Sequence, residues 1–323
     1  MFLVVSHHIS NLCFNVLGNG VPTLTVYLLQ IRMPLFFFIS GFVLYKSGVV
    51  WNFEHIVKFF KKKIPVQLIS PFIFFFLFTW VFKKNLLEGI IADGKMGYWF
   101  TYVLFEYFVL YAIVRFFIRN KWADWALVLL GICLYATKWP FLKNYMPVPL
   151  NLLSFLSFEH WYYFFFFVMG TLFKKYFEKV ECMLDTQWLI TICILVFFVG
   201  NAFELSQIIS GTVESLLLSV SGLIIVFSFF RKKQALFSKE TKLGRVMQYT
   251  GRRTLDIYLI HYFFIPYNLS FFTLFKDHPM PILEFTVSSV IAIIIIAACL
   301  LISNIIRLSP FLEHWLFGVK RTT

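Results

Sequence analysis

Charge is what this sequence has least of. Charged residues fill 14% of the 323 positions, against about 25% in an average soluble protein. Acidic residues number only 16 against 29 Lys and Arg, for a formal net charge of +13. Hydrophobic residues reach 60%, and Phe alone occurs 44 times. A water-soluble globule of this length could not bury so much apolar surface. Intrinsic disorder and a collagen-like fibre are excluded on the same grounds. Cysteine is sparse as well. Cys13, Cys133, Cys182, Cys193 and Cys299 form no CxxC pair and no metal-ligand spacing, which leaves neither a disulfide framework nor a metal site. Most lie inside apolar runs, where they act as small hydrophobes. No P-loop, GxGxxG, HExxH or GxSxG pattern occurs, so a soluble cofactor-carrying enzyme is ruled out. A basic start and a small-residue cleavage site are both missing from the N-terminus, so no cleavable signal peptide is expected. No loop could hold a further domain and no internal repeat is present, so residues 1–323 are expected to form a single integral membrane domain.

What is present is a series of apolar runs near the roughly 20 residues that cross a hydrocarbon layer as helix. They fall at 1–18, 24–45, 65–82, 97–118, 124–138, 149–173, 187–205, 208–230, 250–267 and 283–306. The expected fold is therefore all-α, a polytopic bundle of about ten transmembrane helices, the first starting at Met1. With the N-terminus in the cytosol and the spans alternating, inner connections hold 22 of the 29 Lys and Arg and outer connections 6. That asymmetry satisfies the positive-inside rule with both termini cytoplasmic. The charge is thus read as topology and lipid-surface contact, with no nucleic acid as partner. The longest inner loop, around 231–249, is basic and reads first as solvated punctuation, second as a mouth for an anionic ligand.

Ionisable residues at membrane depth cost roughly 2.5–3.5 kcal/mol each on insertion scales, so they are the first candidates for chemistry. They are His7, His8, Arg32, Glu106, Glu159, His160, Asp256 and His261. Glu204 and Glu214, near span ends, reach water and read as bland. His7 and His8 point about 100° apart on a helix. One could serve as a general base, because imidazole titrates near neutrality, or be a buried His satisfied by a carbonyl. Arg32 is permanently charged and needs an anion, either a carboxylate such as Glu106 or a ligand. Asp256 follows Arg252 and Arg253 at helix-neighbour spacing, which favours a structural pair. His261 reads equally as packing or as chemistry. Pro34 and Ser40-Gly41 interrupt the second span, marking either a cavity or a helix-packing notch. The run Tyr162 to Phe167 reads as packing or lipid-facing surface.

Four segments carry a resemblance. Phe2-Leu3-Val4-Val5-Ser6-His7-His8 resembles the first-helix motif of the acyltransferase 3 family of membrane acyltransferases. Arg32-Met33-Pro34-Leu35-Phe36-Phe37-Phe38-Ile39-Ser40-Gly41-Phe42 is similar to its second-helix segment, the most specific match. Gly97-Tyr98-Trp99-Phe100 resembles the start of its fourth helix, and Gly251-Arg252-Arg253-Thr254-Leu255-Asp256-Ile257-Tyr258-Leu259-Ile260-His261 its late segment. The matches run in order over nearly the whole chain. The resemblance implies transfer of an acyl group, usually acetyl, from acyl-CoA to a hydroxyl of a cell-surface glycan or its lipid-linked precursor, in a bacterial inner membrane. It puts His8, not His7, at the family's essential His. The family's Arg ahead of that His would fall before Met1, consistent with an upstream start or a shortened first helix.

On this reading His8 is the base, and Arg32, or Ser40 with its backbone neighbours, steadies the thioester oxygen. Trp99, Glu106, Arg252, Arg253 and His261 are expected to bind substrates, with Lys61 to Lys63, Arg231 to Lys233, Arg252 and Arg253 facing the CoA phosphates. The expected partners are the lipid bilayer, acyl-CoA and a glycan acceptor, and no bound cofactor is expected. Two other classes remain as alternatives: a glycan or small-anion exporter, and an inactive relative within a polysaccharide-synthesis complex.

Overall fold

The computed structural model describes residues 1–14, 24–118, 120–137, 150–203, 210–267, 275 and 280–319. Arg119, Lys138, Lys143, Lys276, Lys320 and Arg321, which enter the count of Lys and Arg above, lie outside the described residues, as do Glu204 and the ends of several predicted spans. Helix is the only regular structure among the described residues, as expected where lipid offers backbone groups no hydrogen-bond partner. Among the described residues, five helices are long and apolar enough to cross a membrane: Tyr27–Leu44 within Leu24–Leu44, Phe53–Val81, Trp99–Phe117, Gly211–Lys232 and Pro281–Ile306. A sixth is added if Phe177–Asp185 and Gln187–Ala202, bent by 79° at their junction, form one span. Their outward faces are apolar at helical spacing. Phe72, Phe76 and Trp80 are 54%, 50% and 73% exposed, a stripe meant for lipid. The chain is an integral membrane protein.

Where the expected spans differ from the helices, local chemistry explains it. The run at 65–82 is the second half of a longer helical path, Phe53–Val81. Asn52 opens that path, its side chain accepting from the His55 N–H at 2.8 Å. Pro65 brings no backbone donor, and the helix widens into a π turn over Pro65–Ile69. Ser70 Oγ then donates to the Pro65 carbonyl at 2.9 Å. The run at 149–173 is three pieces: Leu150–Phe155, a tight turn at Phe158–Tyr163 entered through left-handed Ser157, and Phe164–Lys175. The run at 250–267 is likewise divided, between Lys242–Arg252, Thr254–Ile260 and a tight turn at His261–Phe264.

The chain forms two compact units, one of Met1–Arg32 with Ile224–Thr323, the other of Met33–Leu223. In the first, Phe2–Leu12 lies along Pro281–Ile306. A polar ladder joins them: Ser6 Oγ to Ser288 Oγ at 3.2 Å, and Ser10 Oγ donating to buried Glu284. Ser10 also meets Thr25 Oγ1 at 3.2 Å. At the other end Asp256, 1% exposed, is gripped by a forked Arg307, with Nε to Oδ2 and Nη2 to Oδ1 both at 3.0 Å. Ser303 Oγ donates to the same carboxylate at 2.5 Å. Arg253 reaches it only at 3.5 Å, so the principal partner of Asp256 is Arg307, 51 residues downstream, rather than its close neighbour in sequence. A forked guanidinium–carboxylate pair is among the stronger hydrogen-bonded contacts. Asp256→Asn is therefore expected to cost about 2 kcal/mol, read as a lowered thermal midpoint of the detergent-solubilised protein.

The second unit is built on aromatic rings. Phe37, Tyr107, Phe164 and Phe167 are fully buried, with Phe37 to Tyr107 centroids 4.9 Å apart and Tyr107 to Phe164 at 5.3 Å. The aromatic run is thus core packing at Phe164, Phe166 and Phe167. Gly41 and Gly170 let two backbones touch. A methyl on Gly41 would overlap the Phe167 carbonyl, and one on Gly170 the Phe38 carbonyl. Gly41 is therefore a helix-packing notch, while Ser40 beside it faces a cavity.

Candidate active site

The predicted residues fall into both units. His8, Arg32, Arg252, Arg253 and His261 belong to the first, and Ser40, Trp99 and Glu106 to the second.

In the first unit the histidines meet. His8 is half-buried, with its ring 5.6 Å from that of His7 and stacked on His261 at 5.4 Å. His8 Nε2 lies 2.9 Å from the Tyr262 hydroxyl. His261 is fully buried, and its Nδ1 faces the carbonyls of Tyr258 at 2.8 Å and Ile257 at 3.1 Å. Carbonyls only accept, so Nδ1 carries a proton. His7 is buried and, with Arg32, Ser6 and Thr25, lines a small cavity of about 10 Å³. Arg252 is exposed, while Arg253 lies over the Tyr249 ring at 5.8 Å and beside Asp256.

In the second unit Trp99 opens the helix Trp99–Phe117 and stacks on His160 with centroids 3.8 Å apart. Glu106, two turns along, accepts from Trp161 Nε1 at 2.8 Å, and Tyr107 Oη donates to the His160 carbonyl at 2.6 Å. Lys95, in the tight turn before this helix, donates to the carbonyls of Ile90 at 3.0 Å and Phe155 at 2.9 Å. Burial pulls its ammonium down to about 8, against the opposing pull of Glu106 and Asp93. Ser40 Oγ donates to the Phe36 carbonyl at 2.8 Å, so its proton is returned to its own helix.

The same unit holds a cavity of about 1480 Å³, larger than the roughly 300–1,000 Å³ of most small-molecule sites. Its wall carries Lys46, Lys58, Lys62, Lys63, Arg115, Lys121 and Lys175, together with Ser40, Trp51 and His55, and among the described residues no acidic one. Lys58 and Lys62 stand one turn apart on Phe53–Ile64. Arg115 and Lys175 are already paired to Asp124, so the charge open to a ligand is chiefly on the lysines. Their placement presents a concave cationic surface to an anion.

Sequence reasoning missed Tyr262, Arg307 and Glu284 and took Lys58 as topology alone, while Lys62 was already expected to face the CoA phosphates. The spacing of Lys58 and Lys62 was the available signal for a basic face. Nothing local marks Tyr262.

The first unit thus holds the stacked imidazoles of His8 and His261 in an apolar helical bundle, and the second holds a lysine-lined cavity. In the comparison with family models, the model described as an acyltransferase domain matches residues 1–302 of the 323, and the chain belongs to the acyltransferase 3 family. It is a membrane acyltransferase. No curated protein and no solved structure matches it.

Proposed function

We propose that this protein takes an acyl group, usually acetyl, from acyl-CoA and places it on a hydroxyl of a cell-surface glycan or its lipid-linked precursor. The observation that carries this reading is the lysine-lined cavity. Coenzyme A brings a pyrophosphate and a ribose phosphate, and lysines are suited to such groups as point charges. Arg252 and Arg253 would add charge to CoA binding, while Trp99 and Glu106 suit a sugar, offering an aromatic face and a carboxylate.

The thioester is already activated, so two groups suffice. A ring nitrogen of His8 takes the proton of the attacking hydroxyl as its oxygen bonds to the thioester carbon. The developing oxyanion is steadied by Arg32. The C–S bond then breaks and His8 returns the proton to the CoA sulfur, leaving ester and CoA thiol. His261 supports the reaction from beside His8. This reading places ten crossings with both termini in the cytosol of a bacterial inner membrane, where CoA resides.

The test is charge reversal in the cavity. The pair Lys58→Glu and Lys62→Glu is expected to raise KM for acetyl-CoA by about 100-fold, as two lost contacts of about 1.4 kcal/mol each would require. CoA thiol released from acetyl-CoA by the purified protein gives the measurement. An unchanged KM would remove the cavity from the proposal.

A further inference from the structure

The first unit brings together two residues 254 positions apart: Tyr262 Oη lies 2.9 Å from His8 Nε2. The ring of Tyr262 also packs against that of His8, with centroids 5.0 Å apart. Tyr262 is 3% exposed, and the tight turn His261–Phe264 sets it beside His261, whose own ring stacks on His8 from another side. His8 is thus touched by both consecutive side chains of one turn, one through a ring face and one through a hydroxyl.

The two contacts differ in what they can do for a proton. The Nδ1–H of His261 is spent on the carbonyls of Tyr258 and Ile257, and toward His8 its ring presents a flat face. The hydroxyl of Tyr262 can both donate and accept. Once His8 has taken a proton, both of its nitrogens are donors, and the atom facing Nε2 must accept. The Tyr262 oxygen fills that place. A contact that strengthens as the charge appears favours the transition state over the ground state.

We propose that Tyr262 is the positioning residue of His8: its oxygen accepts from Nε2–H, holds the ring, and leaves Nδ1 as the nitrogen that takes the proton from the acceptor hydroxyl. The proton then passes from Nδ1 to the CoA sulfur as the C–S bond breaks, so the cycle closes with His8 neutral and Tyr262 unchanged. The inference rests on the reading of His8 as the base.

The test compares Tyr262→Phe with His8→Gln in the purified full-length chain, following CoA thiol release from acetyl-CoA. Water and hydroxylamine serve as alternative acceptors. Hydroxylamine attacks thioesters without prior loss of a proton, so it needs the base less. Tyr262→Phe keeps the ring in place and is expected to lower kcat toward water by about tenfold, part of the 10²–10⁴ that a general base contributes. Its KM for acetyl-CoA should stay within about twofold of the parent value, the mark of an interaction realised in the transition state alone. The deficit should shrink with hydroxylamine in both variants. If His8→Gln loses activity and Tyr262→Phe keeps the parent kcat with both acceptors, the positioning role is wrong and the base survives. If Tyr262→Phe is as impaired toward hydroxylamine as toward water, its role is packing and the inference fails. If His8→Gln retains full activity, the reading beneath the inference fails first.

Discussion

His8→Gln is expected to lower acetyl transfer by about 10²–10⁴-fold, the range that a positioned base supplies. Glutamine approximates the length of the imidazole and keeps hydrogen-bonding capacity toward Tyr262, but it cannot take a proton at neutral pH. The loss should therefore sit in kcat, with KM for acetyl-CoA close to the parent value, because the cationic cavity is built from other residues. His7→Gln is the discriminating companion. His7 faces Arg32, Ser6 and Thr25 across a cavity of about 10 Å³, whereas His8 meets His261 and Tyr262. The His7 variant is expected to keep at least a tenth of the activity, since it alters a neighbour and leaves the base. A large loss for His7 with full activity for His8 would exchange their roles. Steady-state rates of CoA thiol release, on protein shown to be folded, decide between them.

Much of the molecule could be read before folding, and its limits follow from physical range. Unbroken apolar helices were legible: 24–45, 97–118, 187–205, 208–230 and 283–306 each match a helix within a few residues, because a bilayer sets their length and composition. Broken ones were not. Pro65 widens its helix where a span was taken to begin, and a left-handed Ser157 splits another run. Both depend on how the chain satisfies its backbone groups locally, which mean hydropathy does not record. At the site, a resemblance singled out His8 and His261, yet nothing in the sequence could place their rings in contact. Asp256 shows the same boundary. Its neighbours Arg252 and Arg253 were visible at helical spacing, but the forked partner is Arg307, supplied by tertiary packing. Lys62 was visible as a contact for the CoA phosphates and Lys58 as topology, and only the folded chain sets both on one cavity wall. Glu284 escaped notice because a carboxylate near a span end reads as snorkelling, while in the fold it is 1% exposed and bonded to Ser10.

The largest effect on stability is expected at the glycine crossing. Gly170→Ala should destabilise the protein by about 3 kcal/mol, at the upper end of ordinary overpacking. The added methyl would overlap the Phe38 carbonyl oxygen and press on the neighbouring Phe42 nitrogen. These are backbone atoms of a continuous helix, so no side chain can rotate away, and the helices must separate. Separation then loosens contacts around Phe37, Phe164 and Phe167, each fully buried. Lipid tails are as apolar as the aromatic core, so burial alone does not press the helices back together, and close packing has to hold them. Gly41→Ala meets the Phe167 carbonyl from the other side and should act alike. Because both substitutions force open one crossing, their effects should fall short of additive when combined, as coupled neighbours do. Gly94→Ala is the control, for nothing lies within 4 Å of the added carbon, and its effect should stay within about 0.5 kcal/mol. Thermal unfolding midpoints of the solubilised variants make the comparison. A Gly170→Ala midpoint equal to that of Gly94→Ala would mean that the two helices do not cross in backbone contact.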